Sequence, residues 1–154
     1  MFSQEHLEQL DRLRSKYPAS KPLVLPALWM AQRQFGWISP DVMKYIAGLL
    51  DLPLSHVYGV VTFYTMFNTR PVGKYHLQVC TNVSCMLRGG ERLLDHACRR
   101  LNVGKGEVTA DGRFTVTEVE CLGSCGTAPA VQVNDDYHEN LSVESFDKLL
   151  NDLR

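Results

Sequence analysis

Four of the five cysteines fall in two tight pairs, Cys80-Thr-Asn-Val-Ser-Cys85 and Cys121-Leu-Gly-Ser-Cys125, separated by a stretch long enough for a helix and a strand. Four soft thiolates with no histidine at ligand spacing point to a structural zinc or an iron–sulfur cluster. Zinc sites built from two cysteine pairs usually have two residues inside each pair. Four residues inside the first pair match the wider opening step of a plant-type 2Fe-2S site, while three inside the second match neither pattern. Spacing therefore favours a cluster and leaves zinc and disulfides open.

The rest of the chain weakens the disulfide alternative. Met1-Phe2-Ser3-Gln4-Glu5-His6 has no basic start and leads into a charged helix rather than an apolar core, so a cytosolic chain is expected. In a reducing compartment paired cysteines serve as metal ligands or redox centres more often than as staples, and an odd cysteine, Cys98, is left over. Cys98 shares a helical face with Leu94 and Leu101 and reads as a small buried apolar residue.

A chain of 154 residues can bury about 68–70% of its unfolded surface, so it needs no metal merely to fold. Sixteen basic and 17 acidic residues give a net charge of −1, which excludes a strong field for nucleic acid or acidic lipid. The run from Leu23 to Ala31 is far shorter than the about 20 apolar residues that span a bilayer.

The pattern changes near Pro71-Val-Gly73, which predicts a helical region over 1–72 and an α/β domain over 73–154. Leu7, Leu10, Leu13 and Tyr17 mark one face of a first helix stopped by Pro18. A second helix is expected over about 25–35, capped by Gly36. Ser39-Pro40-Asp41 opens a third through Leu50, and Ser55 is expected to cap a fourth that continues through Val57, Val60, Val61 and Tyr64. After Gly73, Tyr75, Leu77 and Val79 alternate with polar residues up to Cys80. A loop then holds Cys85, a helix covers about 89–101, and a second alternating strand from Phe114 to Glu120 delivers Cys121. Strand, helix and strand make a βαβ unit, which places both cysteine pairs beyond the carboxyl ends of adjacent parallel strands. A hairpin over 130–137 and a closing helix over about 143–153 complete the pattern.

Gly123 and Gly126 surround Cys125, where they let backbone N–H groups reach the sulfurs or simply make a turn. Gly89-Gly90 has no phosphate-loop context, and Lys105 between Gly104 and Gly106 reads as a turn. His6, His56, His76, His96 and His138 read as surface or partly buried side chains. No hydrolytic triad is legible, and without a C-x-x-C motif a thiol oxidoreductase is disfavoured.

Several separated motifs together carry a resemblance. Cys80-Thr-Asn-Val-Ser-Cys85-Met-Leu-Arg-Gly-Gly90, Asp111-Gly-Arg-Phe114 and Cys121-Leu-Gly-Ser-Cys125-Gly-Thr-Ala-Pro129 resemble the small 2Fe-2S subunit of NADH:quinone oxidoreductase, respiratory complex I. Upstream, Phe35-Gly-Trp-Ile-Ser39 and Val57-Tyr-Gly-Val-Val-Thr-Phe-Tyr64 resemble that family's helical N-terminal region. The resemblance implies a thioredoxin-like ferredoxin domain preceded by an N-terminal helical bundle, with one 2Fe-2S cluster on Cys80, Cys85, Cys121 and Cys125. It implies an electron-transfer role beside a larger 4Fe-4S subunit that binds FMN and NADH, and a position peripheral to the inner membrane through the complex. The motifs do not separate complex I from the equivalent subunits of NAD-linked formate dehydrogenases and NAD-linked or bifurcating hydrogenases. A structural zinc or interaction module remains the contrasting class.

Overall fold

The computed structural model describes residues 1–153, which divide into two compact units: Met1–Pro71, and a second beginning at Val72. The first is helical. Helix α1 (Gln4–Arg14) is capped by Ser3, whose hydroxyl accepts the His6 N–H, and buries Leu10 with Leu7 and Leu13 partly covered. The expected stripe does not extend to Tyr17, which lies beyond the helix and is exposed. Ser15 ends the run by turning its hydroxyl back onto the Arg12 carbonyl, a local bond that competes with helix continuation.

A 3₁₀ turn over Lys21–Leu23 runs directly into α2 (Val24–Phe35). Pro26 is harmless in its first turn, where N–H groups have no intrahelical partner, and Gly36 closes the helix at φ 81°, which only glycine adopts without strain. Helix α3 (Pro40–Leu50) begins as the sequence predicts, with the Ser39 hydroxyl accepting the Val42 N–H at 3.2 Å. Helix α4 (Leu54–Phe63) begins two residues earlier than a Ser55 cap requires. Pro53 occupies the cap position because its fixed φ suits the extended backbone there, and its carbonyl accepts the His56 N–H at 3.0 Å. Tyr64 is extended and does not continue the helix. Leu23, Leu28, Ile38, Ile46, Leu50 and Val57 are fully buried and form the centre of this unit's core.

The second unit holds β1 (Tyr75–Cys80), α5 (Val83–Leu87), α6 (Gly90–Leu101), β2 (Phe114–Val119), β3 (Val131–Val133), β4 (Asp136–His138) and α7 (Val143–Asp152). The sheet order is β2-β1-β3-β4. β1 and β2 are parallel, in register from Tyr75 opposite Phe114 to Cys80 opposite Val119, and the other pairings are antiparallel. The βαβ unit is therefore as its pattern predicts. Gly73 enters β1 so close to β2 that a Cβ would stand 2.7 Å from the Phe114 carbonyl carbon, and its N–H donates to the buried Thr115 hydroxyl at 2.8 Å.

Helices α6 and α7 bury Leu93, Leu94, Ala97, Phe146 and Leu150 against Leu77, Val79, Val116 and Val131. His96 Nε2 lies 2.8 Å from the Asp147 carboxylate and links the two helices. Among the described residues, no helix is long and apolar enough to cross a membrane.

Candidate functional site

Parallel pairing brings the carboxyl ends of β1 and β2 together, and with them the starts of both cysteine loops. The Thr81 N–H donates to the Val119 carbonyl at 3.2 Å, so the chain leaving Cys80 is still pinned to the strand that leads to Cys121. The Cys80 N–H is held from the other side by the Ala130 carbonyl at 3.1 Å. Cys80 and Cys85 are 3% and 2% exposed and pack with Ala128 and Ala130, while Val119 and Leu122 partly cover the same small cluster.

Cys85 does not lie in a loop. It sits within the single-turn helix α5, whose start is signalled by Asn82 and whose five residues are too few to leave a periodic pattern. The turn from α5 into α6 is tight. Gly89 caps α6 at φ 94°, and a Cβ on Gly90 would stand 2.6 Å from the Cys80 carbonyl oxygen and 3.0 Å from that of Cys85. Glycine at position 90 thus lets the helix start against both buried cysteines.

The second pair is exposed. Cys121 follows the end of β2 by two residues, and the Gly123 N–H, with Gly123 at φ 78°, donates to its sulfur at 3.3 Å. Gly126 has open space beside it in the 3₁₀ turn Cys125–Thr127. The Ala128–Pro129 peptide that follows is cis. Glu139 hydrogen-bonds Ser124 and Thr127 on either side of Cys125, which holds its carboxyl below the ordinary range. Ser84, Leu87, Arg88, Cys125, Gly126, Ala128 and Asn140 line an open cleft of about 390 Å³.

Burial pushes the Cys85 thiol up; a backbone hydrogen bond from Ala130 opposes this, and the neighbouring Cys80 and Cys125 push the same way as burial. Cys80 and Cys125, one from each pair, therefore both stand near Cys85. Cys121 stands aside with its sulfur on Gly123, and among the described residues no three His, Cys, Asp or Glu side chains are gathered as a metal cage. No cysteine is in a disulfide. Cys98 is partly buried against the α6–α7 core, and burial raises its thiol too. His76, on β1, is paired with the Thr117 hydroxyl at 2.8 Å, and burial lowers its pKa.

By chemistry the donor set fits a 2Fe-2S group: four thiols at one sheet end, two against an apolar wall and two at the surface, with a backbone N–H already aimed at one sulfur. The same four donors also suit zinc. The family model of the thioredoxin-like [2Fe-2S] ferredoxins matches residues 10–154. The chain belongs to that family.

Relatives of this ferredoxin extend over nearly its whole length. An E-type subunit of NADH-quinone oxidoreductase from Rhizobium meliloti (strain 1021) is 45% identical over 147 residues, covering 96% of this chain and 88% of the relative. The E-type NADH-quinone oxidoreductase subunit of Rickettsia prowazekii (strain Madrid E) is 42% identical over 152 residues, covering 97% and 86%. In structure, the ferredoxin is similar to part of an NAD+-reducing [NiFe]-hydrogenase in the air-oxidized state, with a TM-score of 0.73 at 25% identity. That similarity covers 84% of this chain and only 22% of the hydrogenase chain.

Two features of the site lie outside the reach of sequence reasoning: the helical setting of Cys85, and a carboxylate, Glu118, whose oxygens meet Thr81 Oγ1 at 2.9 Å and Lys105 Nζ at 2.7 Å. Alternation places Glu118 on a strand, but nothing local marks its partners.

Proposed function

We propose that this chain is the 2Fe-2S electron-transfer subunit of an NADH:quinone oxidoreductase, with Cys80, Cys85, Cys121 and Cys125 holding the cluster. The observation that carries the reading is the convergence of both cysteine pairs at one end of a parallel strand pair, in a chain that matches NADH-quinone oxidoreductase relatives almost end to end.

When bound, a 2Fe-2S cluster supplies one-electron chemistry, which lets a flavin that has taken a hydride from NADH give up its electron pair in single steps. The residues of this chain do the rest. The four sulfurs hold the group, Gly123 donates a hydrogen bond that tunes one of them, and Ala128, Ala130, Val119 and Leu122 limit water on the buried side. On the open side, Val83, Met86 and Leu87 of α5 are exposed, and such an apolar rim suits the docking of a partner that must stand close.

That partner is the larger 4Fe-4S subunit that binds FMN and NADH, and through it the chain is peripheral to the inner membrane. The enzyme is then the whole complex; the isolated chain contains no dinucleotide fingerprint and turns over no NADH. The structural similarity to the NAD+-reducing hydrogenase supports a second reading, the equivalent subunit of an NAD-linked hydrogenase.

The test is anaerobic mixing of the iron–sulfur-loaded chain with the purified flavin subunit. NADH should bleach the visible absorption of the mixture in proportion to this chain and leave the chain alone unchanged. Bleaching of the chain alone, or none in the mixture, would contradict the reading.

A further inference from the structure

Glu118 is a member of the edge strand β2, three residues before Cys121, and its two carboxylate oxygens join two different loops. One accepts the Thr81 hydroxyl at 2.9 Å, and Thr81 is the residue directly after Cys80. The other lies 2.7 Å from the Lys105 ammonium. Lys105 is not a dangling side chain that happens to reach: the Gly106 N–H donates to the Val116 carbonyl at 2.7 Å and the Thr109 N–H to the Phe114 carbonyl at 2.8 Å, so the turn is fastened along the outer edge of β2. The hydrogen bond from Lys105, then that from Thr81, lowers the Glu118 pKa, and Glu118 in turn raises that of Lys105, consistent with both being charged.

Lys105 and Glu118 are both well exposed, and exposed ion pairs of this kind contribute little to stability. Their placement matters more. The carboxylate is hydrogen-bonded to the residue that directly follows the first ligand and stands on the strand that leads to Cys121, so its charge is placed beside both cysteine loops, where salt screens it only in part over short separations. The loop it holds is the one that runs from Cys80 into α5.

Resting on the electron-transfer reading of the four cysteines, we propose that Glu118 is a positioning residue for the loop that Cys80 opens, and that Glu118 and Lys105 form a balanced charge pair that holds the reduction potential of the site. A cluster held by these four sulfurs would become more negative by one charge on taking one electron from the titrant. A fixed carboxylate nearby opposes that change and a fixed ammonium favours it. With both charges present the two effects offset, and loss of either one unbalances them. Thr81 carries no charge and serves only to hold the loop.

These roles separate in a set of full-length variants, each loaded with iron and sulfide and titrated with dithionite while visible absorption is followed. Glu118→Gln should shift the midpoint upward, and Lys105→Met downward. The double variant should fall between them near the wild type, and Lys105→Arg should match the wild type. The opposed shifts should shrink as salt is raised. Thr81→Val should leave the midpoint in place but release iron to a chelator several-fold faster. A merely structural role for the pair would move stability without giving shifts of opposite sign.

If Glu118→Gln fails to fold, the Lys105 and Thr81 variants carry the test. Unchanged midpoints, shifts of the same sign, or wild-type iron release from Thr81→Val would overturn this inference while leaving the electron-transfer reading standing. A wild-type chain that takes up no iron and sulfide would overturn both.

Discussion

Gly90 approaches Cys80 so closely that a Cβ on the glycine would stand 2.6 Å from the cysteine's carbonyl oxygen. That distance is below any real contact, and the obstacle is backbone, which cannot swing away as a side chain can. The end of β1 and the start of α6 are thereby locked together around the buried half of the cysteine set. Gly90→Ala should cost about 1–3 kcal/mol, the usual penalty for overpacking, seen as a lower Tm of the metal-free chain. The same variant should bind iron with reduced occupancy, because Cys80 and the helix start cannot both keep their places.

Cys98 provides the internal control for the paired cysteines. It packs on the α6–α7 core, away from the two cysteine loops in sequence and in its contacts. Cys98→Ser should retain full iron and acid-labile sulfide content, whereas serine at Cys80, Cys85, Cys121 or Cys125 should lower it, because the proposed site needs all four thiolates. Measured iron and sulfide per chain across the five variants checks both halves. Full content in a Cys121 or Cys125 variant would remove the second pair from the site.

Glu139 gives a pH dependence of known sign. Its carboxyl is held below the ordinary carboxylate range, first by Ser124 and then by Thr127, the residues that flank Cys125. A depressed folded pKa means that its contribution is fully present above the unfolded value, about 4.3, and is lost as pH falls through the folded value. In the metal-free chain, the Tm difference between wild type and Glu139→Ala should therefore be constant near neutral pH and vanish in acid. A difference that grows as pH falls would contradict the assigned bonds.

The helical unit bears an apolar surface on α4 and the turn after it. Phe63 is 76% exposed and meets Tyr64 edge to face, and Tyr58 and Leu54 are exposed on the same helix. Of the neighbouring aromatics, Phe67 is buried and Trp29 packs against it at 5.7 Å, so these two belong to the core. Phe63→Glu should leave iron content and Tm close to wild type while weakening binding to the proposed flavin subunit by tenfold or more, as loss of an aromatic anchor does. Titration calorimetry or a pull-down series measures it, and unchanged affinity would clear this face of any docking role.

How much of this is legible in the sequence depends on how local each cause is. Ser39-Pro40-Asp41 and Gly36 announce helix boundaries through their own backbone chemistry, and those boundaries stand where expected. Alternation to Cys80 and from Phe114 similarly marks both parallel strands. Ser55 misleads because Pro53, two residues earlier, already has the backbone conformation of a cap. Tyr17 matches the helical spacing, but Ser15 closes the helix first. Helix α5 is hidden by its length. The Lys105–Glu118–Thr81 chain is hidden for a different reason: its members are 13 and 37 residues apart and meet only after the sheet has formed.

The central claim is that the four paired thiolates carry a 2Fe-2S cluster, and one measurement bears on it most directly: metal and acid-labile sulfide analysis of the full-length chain purified without oxygen, together with its visible spectrum before and after dithionite. Two irons and two sulfides per chain, with red-brown absorption that bleaches on reduction, is the predicted result. A colourless chain holding one zinc and no sulfide would contradict the claim and make the same cysteines a structural clamp.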